Sequence, residues 1–367
     1  MTIYPKLITD ALEKVRYPGT GKDLISSGML EDSVHIKENE VSFTLIFEKP
    51  NDPFIKSVVK AAETAIHTWV AEDIEVQIEV KSKQVARPEP DKLLKQVKNI
   101  LAISSGKGGV GKSTVSANLA VALAAMGYKV GLLDADIYGP SIPKMFGVED
   151  ARPLLERKDG RDLIVPTEKY GVKMLSMGFF VKKEDAVVWR GSMASNALKQ
   201  LIADADWGDL DFFLIDLPPG TSDIHLTMVQ TLAVTGALVV STPQQVALAD
   251  ARKGIQMFIG EKVNVPVLGL IENMSWFTPE ELPNNKYYLF GREGGKDLAK
   301  EMNIPLLGQI PIVQRICEGG DTGAPVALDP DRITGRAFHQ LAASVVEQIR
   351  LRNETMEPTK RVEVHIR

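Results

Sequence analysis

The segment Gly106-Lys107-Gly108-Gly109-Val110-Gly111-Lys112-Ser113-Thr114 stands between a short apolar run, Ile100 to Ser105, and a long alanine-rich stretch. A GxxxxGK[ST] pattern in that setting permits few folds, because it turns a buried strand into a helix around a bound anion. Gly108, Gly109 and Gly111 carry no side chain, so the backbone can close on a polyphosphate and aim its N–H groups inward. The helix that follows adds the positive end of its dipole. Val115, Leu119, Leu123 and Met126 recur at helical spacing and predict one apolar face, with Gly127 as the stop. Lys112 is expected to reach the β- and γ-phosphates of a nucleoside triphosphate. The Ser113 hydroxyl is expected to coordinate Mg²⁺, and Thr114 to bond the α-phosphate.

Two further apolar runs end in acid, Val130-Gly131-Leu132-Leu133-Asp134 and Phe212-Phe213-Leu214-Ile215-Asp216. Continuous apolar strands alternating with helices indicate a parallel sheet covered on both faces. Ligands then gather at the carboxyl ends of the strands, where both aspartates lie. The expected fold class is α/β, a P-loop NTPase with a mostly parallel sheet sandwiched by helices.

A chain of 367 residues allows two or three domains. A formal net charge of −5 argues against a surface that coats nucleic acid. No apolar run reaches the length of a membrane span, and the N-terminus has no apolar signal core. The single cysteine, Cys317, excludes an internal disulfide, and a cytoplasmic location is the simplest expectation.

The polar, proline-containing stretch around Gln84 to Lys92 reads as a linker. The expected division is a small α+β domain over 1–83, a linker over 84–97, an ATPase domain over 98–352 and a charged tail over 353–367. Within the first domain, helices are expected over Ile8 to Val15, Leu24 to Ser27 and Asp52 to Val70. Paired strands are expected at Val34 to Ile36 and Val41 to Phe47, and a last strand at Glu75 to Val80. This pattern resembles the domain of SUF-associated and PaaD-like iron–sulfur assembly factors. That domain often carries a cysteine near the turn Pro50-Asn51-Asp52-Pro53, where this chain has none.

The run from Lys107 to Thr114, with its second lysine, resembles the deviant Walker A motif of the MinD, ParA and nitrogenase iron-protein ATPases. Together with the first domain it resembles the Mrp/ApbC iron–sulfur cluster carrier proteins, and the resemblance covers nearly the whole chain. Stretches that carry it include Asp134-Ala135-Asp136-Ile137-Tyr138-Gly139-Pro140-Ser141, Trp189-Arg190-Gly191-Ser192-Met193, Asp216-Leu217-Pro218-Pro219-Gly220-Thr221, Glu272-Asn273-Met274-Ser275 and Asp321-Thr322-Gly323-Ala324-Pro325. The resemblance implies a nucleotide-switched homodimer in which Lys107 reaches the phosphates of the partner subunit, much as an arginine finger does. It places Asp134 and Asp136 in the first switch and Asp216 in the Walker B position. Asp136 is expected to orient the attacking water, with Asp134 second. Ser113, Asp134 and Asp216 form the magnesium set. The loop from Gly106 through Lys107, Gly108, Gly109, Val110, Gly111, Lys112, Ser113 and Thr114 binds ATP, the Gly220 amide senses the γ-phosphate, and Asn273 contacts the adenine. The alternative for Asn273 is a helix N-cap. The implied catalytic residues are Lys107, Lys112 and Asp136, and the implied partners are assembly factors and apo-acceptor proteins.

One departure stands out. Many of these carriers place a CxxC pair after the Glu-Asn-Met-Ser segment, so that two subunits supply four thiolates to a bridging cluster. This chain reads Trp276-Phe277-Thr278-Pro279-Glu280-Glu281-Leu282-Pro283 there, and a homodimer holds only two cysteines. Ligands for an iron–sulfur cluster are therefore not evident, and Cys317 reads as a small buried hydrophobe. Two other readings stay open: a nucleotide-gated scaffold that holds no metal, and a ParA/MinD-like partitioning ATPase. The charged tail ends in an alternating run, Val362 to Ile366, without the face of a membrane-binding helix. His225 reads as exposed or satisfied in the core, with nucleotide sensing as its other reading. Trp276, Phe277, Tyr287, Tyr288 and Phe290 form either a partner surface or core packing.

Overall fold

The structure is a computed structural model that describes residues 4–31, 34–37, 39–48, 52–82, 93–158, 160–180, 191–261, 263–279, 281–282, 284–359 and 361. Two compact units are present, Met1–Arg87 and Pro88–Arg367. Residues 84–92 of the linker expected over 84–97, the pair Trp189-Arg190 and the alternating run Val362 to Ile366 lie outside the described residues.

The smaller unit contains α1 (Pro5–Leu12), β1 (His35–Lys37), β2 (Glu40–Phe47), α2 (Ile55–Trp69) and β3 (Glu75–Ser82). β1 runs antiparallel to β2, and β3 parallel to it. Val41, Phe43, Leu45 and Phe47 alternate inward from β2 and pack on Ile8 and Leu12 of α1 and on Val58, Ala62 and Ile66 of α2. α1 starts earlier than the apolar spacing predicts because Pro5 occupies its first turn, where a missing N–H is harmless. The helix expected at Leu24 to Ser27 is instead a turn. Asp23 accepts hydrogen bonds from the backbone N–H groups of Ile25 and Ser26, and Gly28 leaves the turn at φ +65°. α2 begins at Ile55 because the Asp52 carboxylate holds the Phe54 N–H in a turn before it.

The larger unit is built on an eight-stranded sheet. In chain order its elements are β4 (Val97–Ser105), α3 (Lys112–Ala125), β5 (Val130–Asp134), α4 (Ile142–Met145), the hairpin of β6 (Leu155–Lys158) and β7 (Arg161–Ile164), β8 (Thr167–Lys169), β9 (Val172–Ser176), α5 (Gly191–Ala203), β10 (Leu210–Asp216), α6 (Asp223–Thr231), β11 (Gly236–Ser241), α7 (Gln245–Ile259), β12 (Val267–Glu272), α8 (Gly294–Glu301), β13 (Leu306–Gln309), α9 (Gln314–Thr322) and α10 (Ile333–Thr355). The sheet order is β13-β12-β11-β4-β10-β5-β9-β8, with every neighbouring pair parallel except β8 with β9. The chain leaves β4 toward β5 and β9, returns to β10, and then crosses to β11, β12 and β13 on the other side. That reversal opens a crevice at the carboxyl ends of β4, β10 and β11, where an open α/β sheet binds its ligand.

α3 departs from the single apolar face expected of it. Residues Val115 through Leu123 are all buried, including Ser116 and Asn118, whereas Met126 is exposed. Sheet, α10 and the short turn at Val326–Leu328 surround the helix, so small alanines fit where a polar face would otherwise point to water. Gly127, at φ +90°, closes the helix as the sequence implies. The expected tail is helical as far as Thr355, where α10 ends.

Candidate nucleotide site

The glycine loop runs from the end of β4 into α3. Gly109 and Gly111 sit at φ +82° and +78°, which only glycine adopts without strain. Gly106 is glycine for a different reason: a Cβ there would stand 2.2 Å from the Asp250 carbonyl carbon and 2.4 Å from the Ala251 nitrogen, both in α7. A cavity of about 240 Å³ opens over the loop, lined by Lys107 to Thr114 with Asp136, Ser141, Met145 and Pro219.

The two strand-end acids are neighbours. β10 and β5 pair in a register that sets Asp216 opposite Asp134, and both carboxylates are fully buried. Their environments differ. Asp216 receives the Lys112 ammonium at 2.8 Å, the Ser113 hydroxyl at 2.7 Å and the Ser116 hydroxyl at 2.5 Å. Lys112 is itself only 6% exposed. Ser116 was not anticipated, although its place one helical turn after Lys112 puts it on the same face.

Asp134, expected beside Asp216 in the magnesium set, has its oxygens engaged by the loop that follows it and by Ser176 of β9. Oδ2 accepts from the Ser141 N–H at 3.1 Å, the Ile142 N–H at 3.2 Å and the Ser176 hydroxyl at 3.0 Å, and Oδ1 accepts from the Asp136 N–H at 3.2 Å. Burial, and then the neighbouring Asp216, push the Asp134 carboxyl up to about 7. Asp136 is half-buried at the cavity wall, and burial raises its carboxyl above the usual range despite the opposing charge of Lys112.

Other expected residues lie around this centre. Asn273 follows β12, is buried, and donates from Nδ2 to the Val110 carbonyl at 2.8 Å; no helix follows it, so it is not an N-cap. The Gly220 N–H donates to the Ser105 carbonyl at 2.9 Å. Lys107 is half-buried at the cavity, and its carbonyl accepts from the Ser105 hydroxyl. His225 is buried, of the two readings the core-satisfied one. Its Nδ1 accepts the Ser222 N–H at 3.2 Å, which leaves the proton on Nε2, 3.3 Å from the Ser104 hydroxyl. Burial first, and the Lys112 charge second, hold this imidazole neutral down to about 4.

Cys317 contradicts its expected burial. It is exposed on α9, and its thiol faces the Asp321 carboxylate at 3.8 Å. Of the aromatic loop, Tyr287 and Tyr288 are exposed and Trp276, Phe277 and Phe290 half-buried, with the Lys286 ammonium 3.7 Å above the Trp276 ring. No described helix is long and apolar enough to cross a membrane.

The family described as ParA, NUBPL iron-transfer P-loop NTPase, matches residues 96–346. The chain belongs to this iron-transfer P-loop NTPase family. An iron–sulfur cluster assembly protein family matches residues 6–80, the smaller unit. Among the relatives of the iron-transfer NTPase, the iron–sulfur cluster carrier protein of Synechocystis sp. is 42% identical over 349 residues, 94% of this chain and 98% of that one. The nucleotide-binding protein of Archaeoglobus fulgidus, solved in complex with ADP, is 37% identical, with a TM-score of 0.57 over 68% of this chain and 96% of that one. The cell division ATPase MinD of Pyrococcus furiosus is 27% identical, with a TM-score of 0.51 over 68% of this chain and 98% of that one. The P-loop NTPase fold and the iron–sulfur assembly-type first domain expected from the sequence both stand.

Proposed function

We propose that this chain binds ATP with magnesium, hydrolyses it, and couples the change to loading or releasing iron–sulfur clusters for acceptor proteins. The observation that carries the reading is the buried Lys112–Asp216 pair, joined by the half-buried Ser113, at the mouth of the glycine loop, in a chain whose relatives are named as iron–sulfur cluster carriers. ATP would draw the Lys112 ammonium from Asp216 onto the phosphates, exchanging one buried counter-ion for another. Ser113 and Asp216, two hard oxygen donors at 2.7 Å, fit a magnesium ion between them. When bound, magnesium would neutralise charge on the β- and γ-phosphates. Asp134 would support this pair from behind, keeping its hold on the loop that carries Asp136.

Asp136 would orient the attacking water, and Asn273 would read the adenine edge beside the loop carbonyl it already contacts. Gly220 would exchange its Ser105 acceptor for the γ-phosphate, so that loss of that phosphate releases residues 216–223. Lys107 would complete the site of a second copy of the chain, making the working form a homodimer. The bacterial relatives and the single cysteine support a cytoplasmic setting.

The cluster is cargo in this reading. Two copies hold two cysteines, half of the usual four thiolates, so partners supply the remaining ligands. The same count favours a second reading, in which the chain is a nucleotide-gated scaffold that holds no metal. Anaerobic reconstitution with iron and sulfide, followed by absorbance and by transfer to an apo-acceptor with and without ATP, separates the two. The carrier reading expects a bound cluster and ATP-dependent transfer. No cluster, and no stimulation of transfer, would remove it and leave the scaffold.

A further inference from the structure

We propose that Ser176, at the end of β9, is a positioning residue for hydrolysis, acting through Asp134 on the loop that carries Asp136. This rests on the ATPase reading above and adds a residue from outside the loop and both strand-end acids. Ser176 is fully buried and stands opposite Asp134 in the β5–β9 register, on the side away from Asp216. Its hydroxyl donates to Asp134 Oδ2 at 3.0 Å and accepts the Gly178 N–H at 3.0 Å. That second bond fixes the rotor: with Gly178 donating in, the hydroxyl proton points at Asp134.

Asp134 therefore sits between a like charge on one side and a dedicated donor on the other. The oxygen that Ser176 holds is the one that receives the Ser141 and Ile142 N–H groups, and the second oxygen receives the Asp136 N–H. One carboxylate thus ties both ends of the segment 136–142. The turn after Ser176 presses on the same segment, since a Cβ at Gly178 would lie 3.3 Å from Pro140. Without the Ser176 hydroxyl, Asp134 loses its only side-chain donor among the described residues, and the Asp136 carboxylate loses its fixed place at the cavity wall. Neither of the Ser176 hydroxyl's hydrogen bonds reaches the glycine loop, Lys112 or Asn273, so nucleotide affinity is expected to stay unchanged.

The test is steady-state ATP hydrolysis and ADP binding by the full chain for wild type, Ser176→Ala, Asp136→Ala and the double variant. Ser176→Ala is expected to lower kcat about ten- to hundred-fold, the scale of a misplaced catalytic group. KM and ADP affinity stay within about two-fold, because the phosphate contacts are intact. The double variant is expected to be no slower than Asp136→Ala alone. Ser176→Cys, alike in shape but larger and only a weak donor, falls between wild type and alanine. Three results overturn the inference: an unchanged kcat in Ser176→Ala, ADP affinity that falls in step with kcat, or losses that multiply in the double variant. A wild-type chain that does not hydrolyse ATP would instead remove the underlying reading.

Discussion

Replacing Lys112 by methionine keeps most of the side-chain volume and removes the charge. In the nucleotide-free chain that change has two separable consequences. The first is on stability. Asp216 is wholly buried and its one ionic partner among the described residues, at 2.8 Å, is Lys112. The Ser113 and Ser116 hydroxyls remain, but they are dipoles, and the nearest charged neighbour across the sheet is Asp134. Breaking a buried ion pair from one side typically costs 3–5 kcal/mol, and the two retained hydroxyls argue for the lower end, about 3 kcal/mol. Adding Asp216→Asn removes the orphaned charge, so the double variant should be more stable than the sum of the single losses by about 2 kcal/mol. Urea unfolding of the full chain at pH 7 without nucleotide measures both quantities. The second consequence is on chemistry, since the variant should lose ATP turnover. A Lys112→Met chain within about 0.5 kcal/mol of wild type, the usual range for surface changes, would show that the pair is not a buried ionic contact. Full turnover in that chain would refute the phosphate role assigned to Lys112.

Two further outcomes are expected. The His225 ring should titrate with a midpoint of about 4 by NMR, because burial and Lys112 disfavour its charged form. The unfolded chain protonates this histidine near its ordinary value of 6.5, so the group stabilises the fold above that pH by up to ~3 kcal/mol, and this is lost as pH falls toward 4. Asp134, raised to about 7, opposes this trend, since its folded form keeps a proton that the unfolded chain releases from 3.8 upward. The resonance is therefore the cleaner measurement, and a midpoint near 6.5 would contradict the buried geometry. Gly106→Ala should destabilise the larger unit by about 1–3 kcal/mol, because its Cβ would strike the α7 backbone rather than a movable side chain. Gly108→Ala, whose nearest neighbour would be Pro219 at 3.9 Å, should melt with wild type. Equal melting temperatures for the two variants would refute the clash.

The site's centre was legible because its chemistry is local. Strand, glycine loop and helix follow one another within residues 97–125, and two apolar strands ending in aspartate can hardly avoid the same edge of a parallel sheet. What lay beyond reach depends on register. Nothing in the run Val172 to Ser176 tells that its serine will face Asp134 rather than the outside, because a shift of one residue reverses every side chain. The enclosure of α3 was missed for a related reason. A spacing argument finds the larger apolar residues, but alanines buried against α10, more than two hundred positions away, give no periodic signal. The turn at Asp23 shows local hydrogen bonding defeating a short helix, and the exposure of Cys317 shows the limit of residue-type averages for a single thiol.

With neighbours on all flanks, α3 behaves as a fixed post driven through the middle of the larger unit. A post held that tightly has no room to recoil, so under the hydrolysis proposed above any displacement would fall on the segments 135–142 and 217–223. In that proposal the segments that would give way are the ones that carry Asp136 and Gly220.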